Sequence, residues 1–395
     1  MKKIAFVGTV NAMPMMYAKK FKAAGYDTIY VVDVSADNKL SRPEAHFPDV
    51  QYPYEKWVKE LLIKRPSLKS VLPRIFFRKI INQVSCRDVY FLCDWYISIA
   101  PFLSQKATVI ILPHGADLDT WCNESKADQI ARSGKFSFFF PLKKIIAKII
   151  INNMRKGLSR ADAITYFPEK FNEDGDLVLR EFDGKKIFRR YDVDLSLVNL
   201  SNHEKEGDLL TICSAVRFDY IDKNDSGNKY LKGNDVIIRG ISKYYREHSK
   251  KIRVLFFNKG RDLMEAKRLC VDEGIADVVE WKDTVPLREL IDIYNRSDIC
   301  FDQVGRHWMG AVGVYALLAN KPLIANYRPE ILDGQLKGIN PILQASTVDQ
   351  VFNNLLRLSD PVERLCVGSK GREFASNNFD ADNLFHEYVN YIENN

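Results

Sequence analysis

The sequence predicts an α/β protein made of two successive domains, each built on a parallel sheet. Short apolar runs, in which hydrophobicity is continuous rather than alternating, recur along the chain and are typical of buried parallel strands. Amphipathic stretches of helical length separate these runs. The pattern stops near residue 170 and restarts near residue 209, and the 395 residues exceed the roughly 250–300 that a single core usually serves.

In the first half, five apolar runs are predicted to be strands and one amphipathic stretch is predicted to be a helix. The predicted strands are 3–9, 27–34, 89–93, 108–112 and 163–167, and the predicted helix is 13–24. Residues 171–199 are polar and contain two Asp-Gly pairs, which indicates loop or hairpin structure.

The polar residues 195–207 are predicted to hold the domain boundary, because the alternation of strands and helices restarts directly after them. The predicted strands of the second half are 209–216, 253–257, 278–281, 299–301 and one opened by Lys321-Pro322. The predicted helices are 235–247, 264–273, 287–296, 363–374 and 383–392.

Composition indicates a globular protein with reduced thiols. Apolar residues make up 46% of the chain and charged residues 28%, as in soluble domains. The seven cysteines are odd in number and form no CxxC pair, which argues for a cytoplasmic protein without disulfides or zinc. The start MKKIAFVGTVNAMP is predicted to be a first strand rather than a signal peptide, and no run reaches the roughly 20 apolar residues of a membrane span.

The net charge of +7 comes from two segments of the first half. Residues 61–87 contain seven Lys or Arg and residues 129–161 contain eight, and neither segment contains an acid. The rest of the chain contains 43 Lys or Arg and 51 Asp or Glu. Both segments are also apolar, which predicts contact with an anionic membrane surface. The alternative is a core-packed helix with a solvated basic face. Nucleic acid is not an expected partner, because no recognisable nucleic-acid motif accompanies the charge.

Residues 297–326 are the most informative stretch for function. A short apolar strand ends in Asp302 and Gln303, and a Gly-containing loop with His307 and Trp308 leads into an apolar helix. In open α/β sheets, ligands bind where the carboxyl ends of strands meet helix amino termini. Backbone N–H groups of a Gly-rich loop can approach an anion closely. The stretch therefore predicts a site for a phosphate-bearing substrate.

This stretch resembles the donor-site signature of GT-B glycosyltransferases, especially the family 4-like enzymes (glycosyl transferases group 1) of bacterial polysaccharide and glycolipid assembly. His307 stands where that subgroup usually has Gly, and Tyr315 stands where the family has a Glu expected to hold the ribose hydroxyls. With Tyr at this position, the chain lacks the charge-assisted hydrogen bond between Glu and ribose, which would contribute roughly 1.5–3 kcal/mol to binding. The matching residues are Asp302, Gln303, Trp308, Gly310, Ala316, Ala319, Lys321 and Pro322.

The resemblance implies two Rossmann-like domains that face each other across a cleft. Residues 1–200 would form the acceptor-side domain and residues 201–375 the nucleotide-sugar-binding domain. Residues 376–395 would form a carboxyl-terminal helix that packs back on the first domain.

Two strand ends of the first domain carry candidate site residues. Gly8 lies where the first strand meets the first helix, and by the resemblance it belongs to a loop that faces the donor phosphates and the acceptor. The alternative is an ordinary strand-to-helix turn that needs Gly, and a single Gly disfavours NAD binding. His114 and Asp117 follow the strand at 108–112, and the resemblance gives them catalytic roles near the transferred sugar. A neutral His can accept from a sugar hydroxyl or donate to a developing charge. A structural His is the alternative.

The second domain carries the predicted phosphate ligands. The resemblance directs Arg217, after the strand at 209–216, and Lys232 at the donor diphosphate. Two cations would neutralise the departing diphosphate without a bound metal. Solvated surface bases are the alternative, and for Trp281 the alternative to nucleobase stacking is a core position. The remaining donor-binding residues implied are Gly233, Trp281, Asp302, Gln303, His307, Trp308, Gly310 and Tyr315.

These features predict a glycosyltransferase of the hexosyltransferase class. It would move a sugar from a nucleotide-diphosphate donor to a lipid-linked or glycan acceptor, in the biosynthesis of a cell-surface polysaccharide such as lipopolysaccharide, or of a glycolipid. Retention of the anomeric configuration is implied by the resemblance alone. It would be cytoplasmic and peripheral on the inner face of the cell membrane. No cofactor or metal site is predicted, because no spaced Cys/His/carboxylate cluster occurs. The alternatives are a GT-B-fold sugar-nucleotide epimerase and a catalytically silent binding subunit.

Overall fold

The computed structural model describes residues 1–38, 41–132, 140–189, 191–200, 209–222, 230–307, 309–332 and 334–395. The chain divides into two compact units. Unit 1 comprises Met1–Tyr191 together with Ala381–Asn395, and unit 2 comprises Asp192–Asp380. Trp308, one of the predicted donor residues, and part of the basic segment 129–161 lie outside the described residues.

Unit 1 contains a sheet in which the described strands are all parallel, in the order β3-β2-β1-β4-β5-β6-β7. The strands are β1 Lys3–Val7, β2 Asp27–Val32, β3 Val58–Glu60, β4 Val89–Leu92, β5 Thr108–Ile111, β6 Ala163–Tyr166 and β7 Lys186–Arg189. The helices are α1 Met13–Ala23, α2 Pro66–Lys69, α3 Pro73–Phe76, α4 Arg78–Gln83, α5 Ala116–Asp119, α6 Ala127–Arg132, α7 Phe140–Arg160 and α8 Glu173–Arg180.

The central strands of unit 1 align their carboxyl ends at one edge of the sheet. Val7 pairs with Val31 of β2 and with Leu92 of β4, and Leu92 pairs with Ile111 of β5. The strand order reverses between β1 and β4, which is the topological switch point where α/β sheets bind ligands. The loops that follow β1, β2, β4 and β5 therefore meet at this edge.

Unit 2 repeats the arrangement with a second parallel sheet, in the order β10-β9-β8-β11-β12-β13 among its described strands. The strands are β8 Leu210–Ser214, β9 Ile252–Phe257, β10 Val279–Lys282, β11 Ile299–Phe301, β12 Leu323–Ala325 and β13 Leu343–Gln344. The helices are α9 Asn234–Glu247, α10 Leu263–Asp272, α11 Leu287–Arg296, α12 Ala311–Leu318, α13 Pro329–Leu332, α14 Val348–Arg357 and α15 Pro361–Asn378.

The last helix, α16 (Ala381–Asn394), belongs to unit 1. Tyr388 on this helix is fully buried, and its ring lies 5.3 Å from the ring of Tyr17 on α1 and 5.1 Å from that of Phe91 on β4. Aromatic contacts of this kind bury large apolar areas. The last helix is therefore part of the core of unit 1.

The predicted α/β fold class with two Rossmann-like units is confirmed, and most predicted elements lie within two residues of the observed ones. The strand predicted at 299–301 and the helix predicted at 287–296 have the observed bounds of β11 and α11. The agreement follows from the continuous apolar runs, whose residues are buried on both faces; Ile4 to Val7 of β1 are at most 1% exposed.

The loop or hairpin predicted for residues 171–199 is wrong, since α8 and β7 lie within this segment. Asn172 caps α8 by accepting a hydrogen bond from the backbone of Gly175. Gly175 lies inside the helix because it packs against Tyr166, whose hydroxyl would be 2.1 Å from an added Cβ. The Asp-Gly pair that suggested a turn therefore serves close helix–strand packing.

None of the helices formed by the described residues is long and apolar enough to cross a bilayer.

Candidate functional site

The start of α9 and the loop after β11 form one continuous structure in unit 2. The backbone N–H groups of Val304 and Gly305 both donate to the carbonyl of Lys232, at 3.1 Å. Gly233 precedes α9 with φ +71, and an added Cβ there would lie 2.8 Å from the Gly305 nitrogen. The structure thus brings together two of the predicted donor segments, Lys232-Gly233 and the loop that follows Asp302.

The loops after β8 and β9 are also joined. Phe218 donates its N–H to the carbonyl of Lys259 at 2.8 Å and accepts from the N–H of Asp262 at 2.9 Å. The Asp262 carboxylate in turn accepts from the backbone N–H groups of Tyr220 and Ile221, at 2.9 Å each. These contacts hold Arg217 and Lys259 side by side at the carboxyl ends of adjacent strands.

Three bases form what we call the cation cluster: Arg217, Lys232 and Lys259. Burial lowers the pKa of Lys232, and the charge of Arg217 lowers it further, while Asp302 and Asp219 oppose the shift. Desolvation and then Arg217 lower the pKa of Lys259 in the same way, although that residue is exposed overall. Asp219 lies 2.7 Å from the Arg217 Nε. The cluster therefore carries repelling positive charges that a bound anion would relieve.

Sequence reasoning missed Lys259. A signal exists, since this residue follows the predicted strand 253–257, where ligand-binding loops of α/β sheets occur. Its relevance depends on β9 being the neighbour of β8, which the sheet order shows and the local sequence does not.

Asp302 organises the signature loop from within. The residue is 3% exposed, and its carboxylate accepts hydrogen bonds from the backbone of Gln303 at 2.7 Å, Gly310 at 2.6 Å and Gly313 at 3.1 Å. A Cβ added at Gly313 would lie 2.6 Å from this carboxylate. Through these contacts, the Asp302 carboxylate holds the backbone of the loop in place.

The other residues of the signature differ from one another in their burial and in their contacts. Gln303 is 4% exposed, and the His307 ring lies 5.3 Å from the ring of Tyr230. Tyr315 on α12 is 3% exposed; burial raises its pKa, and its phenol oxygen accepts a hydrogen bond from the backbone of Asp194. The Tyr315 hydroxyl thus already has a partner inside unit 2.

Trp281 on β10 packs in an aromatic cluster. Its ring lies 5.3 Å from that of Phe218 and 5.4 Å from that of Phe256, and the Lys267 ammonium lies 5.0 Å from the ring centre. These contacts agree with the alternative of a packed Trp, and its role as a nucleobase platform stays a prediction.

In unit 1, Gly8 makes a close approach that no other residue would permit. Its φ is +107, and an added Cβ would lie 2.5 Å from the Cys93 sulfur. Gly8 therefore brings the loop after β1 against the loop after β4, next to the switch point.

Asp117 joins the loops after β4 and β5. Its carboxylate accepts from the backbone of His114 at 2.8 Å and from that of Asp94 at 3.2 Å. Burial raises the pKa of Asp117 to about 6. Burial also lowers the pKa of His114 to about 4, so its imidazole is neutral at neutral pH. Among the described residues, the buried Nε2 of His114 has no hydrogen-bond partner. The arrangement presents a neutral imidazole nitrogen, held through its backbone by Asp117.

A pH prediction follows from Asp117. The folded protein binds the Asp117 proton more tightly than the unfolded chain, so raising the pH through the range from about 4 to about 6 destabilises the fold. The loss is roughly 2–3 kcal/mol in this range. We expect Asp117→Asn to lack this component, so that the unfolding free energy of the wild type falls relative to the variant between pH 4 and pH 6. Urea titrations across this range measure the difference. If the unfolding free energies of wild type and variant changed in parallel with pH, the assignment would be wrong.

No group of three or more His, Cys, Asp or Glu side chains suited to a metal ion occurs among the residues that the structure describes.

Comparison with known proteins establishes the fold. No family model matches the sequence, and no curated protein matches it. Among solved structures, the chain is similar to the sucrose-phosphate synthase of Thermosynechococcus elongatus, with a TM-score of 0.66, 13% identity and coverage of 100% of this chain and 99% of that one. It is also similar to HepE of Anabaena, solved with UDP and glucose, with a TM-score of 0.63, 12% identity and full coverage of both chains.

A third similar structure is a glycosyltransferase from Rickettsia africae, with a TM-score of 0.61, 13% identity and coverage of 100% and 98%. At such identities the likeness concerns the fold, and it extends over the whole of both chains. Together with the two parallel sheets, these matches confirm that the chain has the GT-B fold implied by its donor-site signature.

Proposed function

We propose that this chain is a glycosyltransferase that moves a sugar from a nucleotide-diphosphate donor to a lipid-linked or glycan acceptor. The observation that carries the proposal is the cation cluster of Arg217, Lys232 and Lys259, held next to the signature loop at strand carboxyl ends of unit 2. A diphosphate is the ligand class that such a cluster binds best, because it offers charge and several acceptor oxygens.

The start of α9 strengthens the case for an anion at this place. The helix runs for 14 residues, and Lys232-Gly233 directly precedes it. The N–H groups of its first turn point toward its amino end, and together with the helix dipole they favour a negative charge there. The donor phosphates would thus meet backbone dipoles and side-chain cations together.

Leaving-group stabilisation is the chemistry that these residues support. When the glycosidic bond to the donor breaks, negative charge develops on the departing diphosphate, and cations fixed beforehand stabilise it without reorganisation. By the resemblance, the neutral His114 lies near the transferred sugar, where its unpartnered Nε2 would accept a sugar hydroxyl proton or donate to developing charge. Retention of anomeric configuration is part of the proposal on the resemblance alone.

The test is a release assay with a panel of nucleotide sugars, beginning with UDP-glucose because HepE was solved with UDP and glucose. We expect the purified chain to bind at least one donor and to release its nucleoside diphosphate slowly by hydrolysis. The anomer of the released sugar, observed early by NMR, would match the donor if the reaction retains configuration. A panel that neither binds nor reacts would overturn the proposal.

A catalytically silent binding subunit is the second candidate. It is favoured by Tyr315, whose hydroxyl is buried and bonded to Asp194 where the resemblance leads us to expect a ribose-binding Glu. Donor binding without hydrolysis or transfer to any acceptor would support this candidate over the enzyme.

We further propose that the protein works on the anionic inner face of the cell membrane. The basic segments 61–87 and 129–161 meet in unit 1, because Asn153 on α7 donates to the carbonyls of Ser70 at 2.8 Å and Val71 at 3.0 Å. Apolar side chains between 37% and 65% exposed surround this junction or lie on α7: Leu68, Leu72, Ile75, Phe76, Leu142, Ile145 and Ile149.

The opposite face of α7 packs in the core of unit 1 through Ile150, Met154 and Leu158. Core packing therefore accounts for the apolar residues on one side of α7. It does not account for the exposed apolar residues and lysines on the other side. Exposed apolar residues beside bases suit the headgroup region of an anionic bilayer, where each base adds about 1 kcal/mol.

A flotation experiment measures this surface. We expect the chain to float with vesicles that contain anionic lipid and to remain unbound with neutral vesicles. Replacing Lys143, Lys144 and Lys148 by Glu should reduce the bound fraction at least tenfold, because six units of charge change on one helix. Replacing the exposed bases Lys250, Lys251 and Lys370 of unit 2 by Glu is the matched control. If the two triple variants floated to the same extent, this surface would not be the one that binds the membrane.

A further inference from the structure

A cavity of about 550 Å³ lies in unit 2 at the amino end of β13. It is lined by the segment 337–343, which leads into β13, and by side chains of α15. The cation cluster and the signature loop follow the carboxyl ends of β8, β9 and β11, so the cavity lies at the opposite edge of this parallel sheet. Its volume falls in the range of roughly 300–1,000 Å³ typical of small-ligand sites. The cavity is therefore separate from the predicted donor site.

Much of the lining is apolar. Ile342, Val367 and Phe374 line the cavity and are buried, and Pro341 lies beside them in the chain. Ile339 also lines the cavity, and its side chain is 94% exposed. A ligand with an apolar body would remove this exposed surface from water, which is favourable.

Two lysines of the lining have ammonium groups that are available to a ligand. Among the described residues, the ammonium groups of Lys337 and Lys370 have neither a hydrogen-bond nor an ion-pair partner. Arg357 also lines the cavity, but its Nε donates to the Glu363 carboxylate at 2.6 Å. Within the described lining, Glu373 is then the one carboxylate without a partner. Two available cations against one available carboxylate favour an anionic ligand.

Asn340 adds a hydrogen-bond donor that has no acceptor. Its Oδ1 accepts from the backbone N–H of Ile342 at 3.0 Å, and this contact identifies the other end of the amide as the nitrogen. The Nδ2 is buried and has no hydrogen-bond partner in the part of the chain that the structure describes. Buried amide groups are nearly always paired, because a missing hydrogen bond costs free energy. An oxygen atom of a ligand in the cavity would supply the missing acceptor.

We propose that this cavity is a second ligand site, which binds a small, water-soluble phosphate monoester with an apolar body. The phosphate would lie among Lys337, Lys370 and the Asn340 amide, and the body would lie against the apolar lining. Lysine is a point charge that suits a compact dianion, whereas the fork of Arg suits a planar carboxylate, and the Arg of this cavity already pairs with Glu363. The inference is independent of the proposed function, because no residue of this cavity belongs to the donor site.

The test is saturation-transfer NMR on the full chain with phenyl phosphate, which joins a phosphate monoester to an apolar ring. Inorganic phosphate, which lacks the ring, and phenol, which lacks the charge, serve as competitors. We expect phenyl phosphate to bind with a millimolar or lower dissociation constant, and at least about tenfold more tightly than either competitor. UDP at a concentration that saturates the donor site should leave the signal in place. Displacement by UDP, or no binding of phenyl phosphate, would overturn the proposal.

Three variants and a control locate the binding. Asn340→Asp keeps the acceptor for the Ile342 N–H and replaces the unpaired donor by an oxygen, so it should weaken phenyl phosphate binding at least about tenfold. Lys370→Met should weaken binding as well. Glu373→Gln removes a like charge and should strengthen it, which an unfolded variant could not do. Lys250→Met, at an exposed base of unit 2 outside the cavity, should have no effect.

Two results with these variants would contradict the site. One is equal binding of phenyl phosphate by Asn340→Asp, Lys370→Met and wild type. The other is weaker binding by Glu373→Gln than by wild type, because the carboxylate would then help the ligand rather than repel it. Lys370 and Glu373 are exposed, so their replacement leaves the core of unit 2 intact.

Discussion

Lys232→Met is expected to weaken the binding of UDP and UDP-glucose by about 10- to 150-fold. The substitution removes one charged hydrogen-bond donor from the cation cluster and keeps most of the apolar length of the side chain. Hydrogen bonds to charged groups contribute roughly 1.5–3 kcal/mol, which corresponds to this range at about 1.4 kcal/mol per factor of ten. Isothermal titration of the full chain with UDP measures the effect directly.

The matched control for this prediction is Lys250→Met, which removes an exposed base of unit 2. Wild type and control should bind UDP equally, and their affinity should fall with added salt more steeply than that of Lys232→Met, because one fewer cation faces the phosphates. If Lys232→Met and wild type bound UDP with equal affinity, the cation cluster would not be part of the donor site.

Gly305→Ala is expected to destabilise unit 2 by about 1–3 kcal/mol and to abolish measurable donor binding. An added Cβ would lie 1.9 Å from the carbonyl oxygen of Leu231, so either the loop or the start of α9 must move. The loop cannot move freely, because Asn326 donates to the Gly305 carbonyl at 2.7 Å. The contact that holds Lys232 against the signature loop is therefore the one that breaks.

Urea unfolding and UDP titration measure the two effects of Gly305→Ala separately. Gly274→Ala is the control, since no described atom lies within 4 Å of a Cβ at that position, although its φ of +70 adds backbone strain. The control should lose about 1–2 kcal/mol of stability at most and keep its UDP affinity. If Gly305→Ala kept full affinity, the arrangement of Lys232 and the loop would not matter for the donor.

Local sequence predicted what depends on local composition. The continuous apolar runs predicted β1, β4, β8 and β11 within two residues, because a strand buried on both faces needs apolar side chains throughout. The same reasoning placed Arg217 and Lys232 after a strand and before a helix, where the structure has them. The roles of these residues in catalysis and binding stay predictions.

Contacts between distant segments could not be predicted in this way. Lys259 and the contact between Asp94 and Asp117 were missed because both depend on sheet order, which puts β9 beside β8 and β4 beside β5. Tyr315 was expected near ribose, and the structure bonds its hydroxyl to Asp194, which lies 121 positions earlier in the chain.

By itself, the sequence determined that this protein is an α/β chain of two Rossmann-like units, with Arg217 after a strand and Lys232 before a helix, because periodicity and turn chemistry act over a few neighbouring residues. Only the tertiary structure decided which strand ends are adjacent. It also decided which carboxylates accept hydrogen bonds from backbone N–H groups and which of them line a cavity. Those properties depend on side chains far apart in the chain, and Asp302, bonded to three loop N–H groups, is the clearest example.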